Sequence, residues 1–393
     1  MKKILIWDKG LVLRNSGGPS GYLWNLKQFL ANNDVENDQI FFYTDVIECE
    51  DIKISLLDRC INALFRYLRL HTLASLYTMY FAHSKLSNKE ICQIRNFDYI
   101  HIHNMSFMLR YGRQLKREGI KVIYTTHTPE LMIDEVMYSS SVCIKKIEKL
   151  FINRELFVSR ELHAYKLADY IMFPVHGVQE CYTLNSKKVQ DFFKNAKNIF
   201  FNPTAILDND KKETESKILD QYCISPDSKI ICYVGRHTTV KGYYYLKEIA
   251  RVMLNKRNDI YFVIGGAQGA STPLNHKNWI ELGWVDTQQL LKEIDVFILP
   301  NKQTYFDIIA LEVLRSGKAL ITTLTGGNKY FEQINNGGIS FIPFDDASRA
   351  CAIIESILLE DIHNRGNKCR NLFLENFTFY HYVENYINQI DKL

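Results

Sequence analysis

The stretch KIICYVGRHTTVKGYYYLKEIARVMLNK, residues 229–256, decides the fold. It begins with a short run of aliphatic and aromatic residues, passes through a loop that contains two glycines, and continues with apolar residues at helical spacing. A second apolar run, IYFVIGG, follows at residues 260–266. A strand, a helix and another strand in this order predict parallel strands connected by a helix.

Short apolar runs of the same kind recur on both sides of this stretch. The earlier ones are KILIWD, QIFFYTD, YIHIHN, KVIYTTH, YIMFPV and NIFFNP, and the later ones are VFILP, KALITT and GISFIP. A charged segment, NPTAILDNDKKETESKILDQ, separates the two series. We therefore predict an α/β protein of two doubly wound, Rossmann-like domains that face a cleft, with domains at 1–203 and 204–375 and a last helix, about 376–393, that packs back on the first domain.

Composition narrows the class of protein. The 393 residues are 47% hydrophobic and 23% charged with a net charge of +4, which is typical of a soluble protein with two cores. The small positive excess does not indicate nucleic acid, although it suits an anionic substrate or membrane surface. Nine scattered cysteines without a CxxC motif favour a reducing compartment, and no apolar run reaches the ~20 residues of a membrane span. We expect a cytoplasmic protein.

Two helical stretches of the first half carry basic residues among apolar ones. Residues 55–81 include Arg59, Arg66 and Arg69, and residues 142–167 include three lysines near their start. Such helices either pack their apolar faces on the sheet or lie on an anionic membrane on the inner face of the cell, and the sequence leaves both open.

Two cations follow the strand of the opening stretch. Gly235 ends the strand, and Arg236 and Lys241 bracket the loop before the helix. Arginine binds a diphosphate as a fork and lysine binds it as a point charge, so the pair predicts a diphosphate site. The alternative is two solvated surface cations.

Two segments of the first half also end strands with residues of chemical interest. NSGGPSGYLWNL (15–26) brings Gly17 and Gly18 into a turn before a helix, where a ligand can approach bare backbone, unless it is only a connecting turn. TTHTPE (125–130) places His127 at a strand end, and His101 and His103 alternate along another strand. A structural histidine is the alternative for His127. No motif supports a metal site.

TYFDIIALEVL (304–314) contains an acidic residue, Glu312, inside an apolar helical run. A carboxylate there needs a partner. It can accept hydrogen bonds from the two hydroxyls of a ribose or pair with Arg315.

These segments, in this order, resemble the retaining glycosyltransferases of the GT-B class called family 4. The resemblance covers nearly the whole chain, is strongest over 229–345, and includes the motifs GGPSG, TTHTPE, VGRHTTVKG, GWV (283–285), TYFDIIALE and TGG (325–327). The departure is Thr304, which stands where the family has the first glutamate of a Glu-x7-Glu motif. Asp307 stands where the family has a glycine, and it either supplies the carboxylate again or caps the helix.

The resemblance implies roles for individual residues. Arg236 and Lys241 would bind the donor diphosphate, Glu312 the ribose, Val285 the base, and His127 the transferred sugar. The predicted catalytic residues are Arg236, Lys241, His127 and Asp307. The remaining donor-binding residues are Gly17, Gly18, Gly235, Thr304, Tyr305, Phe306 and Ile308.

The resemblance also implies an activity. The N-terminal domain would bind the acceptor and the C-terminal domain a nucleotide-sugar, with a UDP-sugar expected first. The protein would be a retaining, metal-independent hexosyltransferase without a cofactor, acting on a glycan or lipid-linked acceptor in cell-surface polysaccharide synthesis. An epimerase or phosphorylase on the same plan, and a non-catalytic nucleotide-sugar-binding subunit, are the alternatives.

Overall fold

The computed structural model describes residues 1–14, 18–32, 38–48, 50–52, 54–139, 144–208, 216–267 and 271–393. The chain divides into two compact units. Unit 1 comprises Met1–Pro174, Tyr182–Asn202 and Val383–Leu393, and unit 2 comprises Val175–Cys181 and Pro203–Tyr382.

Unit 1 is built on a parallel sheet of six strands. The order is β2-β1-β3-β4-β5-β6, and the strands are β1 (Ile4–Ile6), β2 (Ile40–Phe42), β3 (Tyr99–Ile102), β4 (Lys121–Tyr124), β5 (Tyr170–Phe173) and β6 (Ile199–Phe201). Helices cover a parallel sheet on both faces, so its strands read as continuous apolar runs rather than as an alternation of polar and apolar residues.

The helices of unit 1 connect these strands. They are α1 (Gly18–Asn32), α2 (Tyr43–Val46), α3 (Leu56–Tyr67), α4 (His71–Tyr80), α5 (Asn88–Ile94), α6 (Met105–Arg117), α7 (Met132–Asp134), α8 (Lys146–Phe151), α9 (Arg154–Leu167) and α11 (Lys187–Asn195). The short helix α10 (Glu180–Thr183) begins in unit 2 and ends in unit 1. The predicted helical stretch 55–81 is two helices, because Arg69 adopts a left-handed φ of 56° between α3 and α4. No helix of the described ranges is long and apolar enough to cross a membrane.

Unit 2 repeats the architecture with another strand order. Its sheet runs β12-β11-β10-β7-β8-β9, all parallel, with β7 (Lys229–Val234), β8 (Ile260–Gly265), β9 (Trp279–Gly283), β10 (Val296–Leu299), β11 (Ala319–Thr323) and β12 (Ile339–Ile342). The helices are α12 (Tyr243–Leu254), α13 (Thr287–Leu290), α14 (Ile308–Arg315), α15 (Lys329–Ile334), α16 (Ala347–Leu358) and α17 (Ile362–Asn376). The last helix, α18 (Phe379–Lys392), begins in unit 2 and belongs to unit 1 from Val383 onward.

Two features were absent from the sequence prediction. The edge strand β9 was not among the predicted strands, because its sequence WIELG has a charged residue and a glycine in five positions. The segment Val175–Cys181 belongs to unit 2, although the predicted boundary lay at 203. The last helix enters unit 1 at Val383, where the Tyr386 hydroxyl bonds Nδ1 of His101 at 2.7 Å.

Strand order identifies the edge of each sheet where a ligand is expected. In doubly wound sheets, ligands bind beyond the carboxyl ends of the strands, where the order reverses. That point lies between β1 and β3 in unit 1 and between β7 and β10 in unit 2.

Candidate active site

The loops after β7 and β10 meet at the switch point of unit 2. Gly242 has a φ of +70°, and a Cβ atom there would lie 1.7 Å from the carbonyl oxygen of Pro300, so no other residue fits. This close approach places Lys241, which precedes Gly242, beside the residues that follow β10. The two segments that the sequence singled out separately therefore form one site.

Asp307 is the partner of Lys241. Its carboxylate accepts a hydrogen bond from Nζ of Lys241 through Oδ1 and one from Nδ2 of Asn301 at 2.7 Å through Oδ2. Burial alone would raise the pKa of Asp307, but the Lys241 charge and these hydrogen bonds hold it below its ordinary value. The side chain occupies the N-cap position of α14 without making a capping hydrogen bond. Asp307 is therefore an ionised carboxylate in the site.

Asn301 is a site residue that the sequence prediction missed. Its side chain is fully buried and anchors the carboxylate of Asp307. The available signal was its position directly after Pro300, at the carboxyl end of an apolar run.

Thr304 lies inside the unit and not at its surface. It is fully buried, and its carbonyl oxygen accepts from the amide of Gly327 at 3.2 Å and the thiol of Cys181 at 3.0 Å. Its hydroxyl is close enough to Asp307 to help lower the pKa of that carboxyl, but it makes no hydrogen bond of ordinary geometry with any described residue. Because the threonine is enclosed, a glutamate at this position would require the surrounding chain to move.

The glycine pair of TGG packs against the same loop. A Cβ atom at Gly326 would lie 2.0 Å from the carbonyl oxygen of Thr304, and one at Gly327 would lie 1.9 Å from that of Tyr305. The Gly326 amide donates to Glu180 at 3.0 Å, and the same carboxylate pairs with Lys329. Glu180 comes from a distant segment, so no sequence pattern pointed to it.

The carboxylate of Glu312 has no hydrogen bond or ion pair within the described part of the chain. It lies partly buried on α14, where burial raises its pKa, the charge of Arg315 lowers it and that of Asp286 raises it further. Arg315 donates instead to the carbonyl oxygen of Leu207 at 2.9 Å. A carboxylate of this kind is suited to accept hydrogen bonds from a ligand.

Other predicted residues of unit 2 fall into two groups. Arg236 is exposed in the loop after β7, and the hydroxyl of Tyr233 bonds its carbonyl oxygen at 2.9 Å, which fixes the loop. Val285 is partly buried after β9; its Cγ1 atom lies 2.8 Å from where a Cβ on Gly265 would be.

The second group packs inward. Phe306 stacks on Phe331 with ring centroids 5.4 Å apart, and the side chain of Tyr305 is 6% exposed. A role for these two residues in binding a donor is therefore restricted to their backbones. Ile308, partly buried, is the first residue of α14.

The predicted residues of unit 1 follow β1 and β4 in the sequence. Gly18 begins α1, whereas Gly17 lies outside the described residues. His127 follows β4 and is partly buried; its Nε2 atom is 3.0 Å from Nδ1 of His103. Burial lowers the pKa of His127 to about 4 and that of His103 well below its usual value. Both imidazoles are neutral near pH 7, so only one of the two facing nitrogens carries a proton.

His101 extends this cluster toward α18, and its tautomer follows from its partners. The Thr125 hydroxyl donates its one hydrogen to the carbonyl oxygen of Met172 at 2.9 Å, so it must accept from Nε2 of His101 at 2.8 Å. Because burial lowers the pKa of His101 well below its usual value, Nδ1 is unprotonated and accepts from Tyr386. Within the described residues, no group of three or more histidine, cysteine, aspartate or glutamate side chains is arranged to hold a metal ion.

Part of unit 2 matches a known protein family. Residues 228–360 match the family described as Glycosyl transferases group 1. This range contains Arg236, Lys241, Asp307 and Glu312, so the predicted resemblance to glycosyltransferases is confirmed at the level of this group and over this range.

Solved structures share the fold of the whole chain. HepE from Anabaena, solved with UDP and glucose, has a TM-score of 0.63 at 11% identity and covers 100% of both chains. Sucrose-phosphate synthase from Thermosynechococcus elongatus has a TM-score of 0.61 at 15% identity over 100% of this chain and 98% of its own. Trehalose-6-phosphate synthase, whose structure addresses the mechanism of glycosyltransfer with retention, has a TM-score of 0.56 at 11% identity over 100% of this chain and 99% of its own. The predicted GT-B fold is confirmed.

One curated protein is similar in sequence. The "Uncharacterized 41.2 kDa protein in cps region" of Klebsiella pneumoniae is 22% identical over 302 residues, which are 74% of this chain and 78% of that protein.

Proposed function

We propose that this protein is a retaining glycosyltransferase that moves a sugar from a nucleotide-sugar to a glycan or lipid-linked acceptor. The observation that carries the proposal is the arrangement at the unit 2 switch point. There the Lys241–Asp307 pair is built between two strand ends, and the Glu312 carboxylate has no hydrogen-bond or ion-pair partner among the described residues. The site lies within the range that matches the group 1 family.

The donor has three groups to be held. Arg236 and Lys241 bind the diphosphate, Glu312 accepts hydrogen bonds from the ribose, and the backbone around Val285 binds the base. UDP is the proposed nucleotide, supported by the structures of the similar protein HepE with UDP and with UDP-glucose. The small net positive charge suits an anionic donor.

The bond changes balance without a cofactor. The bond between the anomeric carbon and the departing phosphate oxygen breaks, and the acceptor hydroxyl bonds to that carbon on the same face. The acceptor proton passes to the phosphate oxygen. Arg236 and Lys241 stabilise the charge that develops on the diphosphate, which is the role a metal ion has in other transferases. Retention is supported by the fold shared with trehalose-6-phosphate synthase.

Asp307 has a second task in this proposal. A carboxylate offers about four lone-pair positions, and Lys241 and Asn301 occupy one on each oxygen. The others remain for a hydroxyl of the transferred sugar. His127 is proposed to contact that sugar as a neutral imidazole.

The biological setting is proposed from the relative in the Klebsiella cps region. Cell-surface polysaccharides are the proposed product, and the inner face of a membrane, where a lipid-linked acceptor would lie, is the proposed place of action.

A thermal-shift screen of nucleoside diphosphates and nucleotide-sugars tests the proposal. A bound ligand raises apparent stability in proportion to ln(1 + [L]/Kd). We expect UDP and a UDP-sugar to stabilise the protein, and Glu312→Gln to abolish the shift. An absence of stabilisation by every nucleotide would refute the donor site. Release of free, altered sugar without an acceptor would favour an epimerase or phosphorylase, and binding without turnover on any acceptor would favour a non-catalytic subunit.

A further inference from the structure

Two helices of unit 1 expose large apolar side chains. On α3, Leu57 is 69% and Tyr67 is 84% exposed, and on α8, Leu150 is 83% and Phe151 is 67% exposed. Monomeric proteins rarely leave such side chains together at the surface, and contiguous apolar patches mark interaction sites.

The two helices contribute to one surface. Nζ of Lys145, at the start of α8, donates to the carbonyl oxygen of Arg69, just beyond the end of α3, at 2.7 Å. The carboxylate of Glu148 on α8 accepts from the amides of Thr72 and Leu73 in the first turn of α4 at 2.8 and 3.3 Å. These bonds hold α8 beside the α3–α4 junction. We call residues 56–69 and 145–151 the α3–α8 surface.

The exposed charges of the α3–α8 surface are all positive. Its six cations are exposed, and they are Arg59, Arg66, Arg69, Lys145, Lys146 and Lys149. Its two acidic residues are buried and bonded within the protein: Asp58, 1% exposed, accepts from the Tyr77 hydroxyl at 2.6 Å, and Glu148 is 2% exposed. Exposed apolar side chains among unopposed cations match the acyl boundary and anionic headgroups of a bilayer.

A cavity of about 620 Å³ lies beside this surface, among α3, α4 and α6. Arg66 and Arg110 line it together with Ser75, Thr78 and Ser106. Arg110 donates from Nη2 to the carbonyl oxygen of Thr78 at 3.2 Å, while its buried Nε has no hydrogen-bond partner in the part of the chain that the structure describes. A guanidinium with free donors is well suited to bind a phosphate.

We propose that the α3–α8 surface docks unit 1 on an anionic lipid bilayer, and that the cavity beside it receives the phosphate of a lipid. The apolar side chains enter the bilayer interface, the six cations contact anionic headgroups, and Arg66 and Arg110 hold the lipid phosphate. That this lipid includes the lipid-linked acceptor rests on the proposed function; the docking itself does not.

Co-sedimentation of the full-length protein with lipid vesicles, without nucleotide, tests the docking. We expect binding to vesicles that contain phosphatidylglycerol at low salt, less binding at high salt, and none to phosphatidylcholine alone. The double variant Leu150→Ser, Phe151→Ser should lower partitioning about tenfold or more. Leu184→Ser is the matched control, because Leu184 is 69% exposed elsewhere in unit 1, and it should bind as the wild type does.

Failure to bind anionic vesicles, or wild-type partitioning by the double variant, would overturn the docking surface. The cavity is tested by calorimetry with a soluble short-chain phosphatidic acid. Arg110→Gln should weaken its binding about tenfold, the scale for one charge-assisted hydrogen-bonded group, without lowering the unfolding temperature. Equal affinity for inorganic phosphate would overturn the lipid assignment. The vesicle assay contains no donor, so its result does not depend on nucleotide binding. If the protein binds vesicles but no nucleotide, the proposed transferase function is refuted and the docking surface still stands.

Discussion

The ammonium of Lys241 is paired with the carboxylate of Asp307 across the switch point of unit 2. The two side chains are 15% and 12% exposed, so each charge depends on the other for compensation. Removing one member of a buried pair leaves an uncompensated charge and destabilises the protein. The stability of every variant of this pair must therefore be measured together with its activity.

Asp307→Asn is expected to lower turnover with the sugar donor by about tenfold or more, the cost of a hydrogen bond to a charged group. Affinity for bare UDP should not fall, because UDP lacks the sugar and Lys241 remains available to the diphosphate. Steady-state kinetics and titration calorimetry measure the two effects.

Asp346→Asn is the matched control. Asp346 caps α16 through a 3.0 Å bond to the amide of Arg349, and asparagine caps about as well as aspartate. This variant should leave both measurements unchanged. The same result for Asp307→Asn would show that the carboxylate has no part in the reaction.

Glu312→Gln separates function from stability. It should weaken nucleotide binding by about 2–4 kcal/mol, because hydrogen bonds to a charged group are lost. Without nucleotide, it should be at least as stable as the wild type, since it removes a desolvated charge that has no partner in the described chain. Calorimetry and thermal unfolding give the two values. Wild-type affinity, or a loss of stability in the free protein, would contradict the assignment to the ribose.

Arg236→Ala and Lys241→Ala should each lower turnover about 100-fold, as the loss of one pre-organised electrostatic contact does elsewhere. Arg236 is exposed, so its variant should keep the wild-type unfolding temperature, whereas Lys241→Ala should lower it because Asp307 loses its partner. Single-turnover kinetics report the chemical step. Unchanged rates in Arg236→Ala would remove this residue from the site.

Activity should persist in excess EDTA, because Arg236 and Lys241 supply the positive charge at the diphosphate. Turnover measured before and after chelation, and again after addition of magnesium, tests this. Loss on chelation with recovery on magnesium would contradict the metal-independent mechanism.

The strands other than β9, and the strand-end motifs, followed from the sequence because both leave local signals. Apolar runs mark the buried strands, and glycines mark places where the backbone must approach another segment, as Gly242 approaches Pro300. The pairing of Asp307 with Lys241 could not be predicted from the sequence, because the two residues are 66 positions apart and only the strand order brings them together.

The burial of individual side chains in the site also could not be predicted from the sequence. Thr304 and Phe306 lie in a motif that suggested donor contacts, yet both side chains are buried within unit 2. The amino-acid sequence of this loop does not reveal which of its side chains point into unit 2. Their direction depends on contacts with the glycine turn at 326–327 and with Cys181, which are distant in the sequence.

The histidine cluster of unit 1 should make stability depend on pH. An unfolded histidine takes up a proton below about pH 6.5, whereas burial keeps His127 neutral down to about pH 4. Between these values the unfolded state binds more protons, so the free energy of unfolding falls as the pH falls from 6.5 to 4. At pH 5, His127 lowers the free energy of unfolding by about 1–2 kcal/mol relative to neutral pH; this range allows for solvent screening, because the residue is only partly buried. Urea denaturation of the wild type and of His127→Asn at pH 7.5 and pH 5 should show a smaller loss of stability for the variant. Equal losses would mean that His127 titrates normally in the folded protein, which would contradict the lowered pKa of its imidazole.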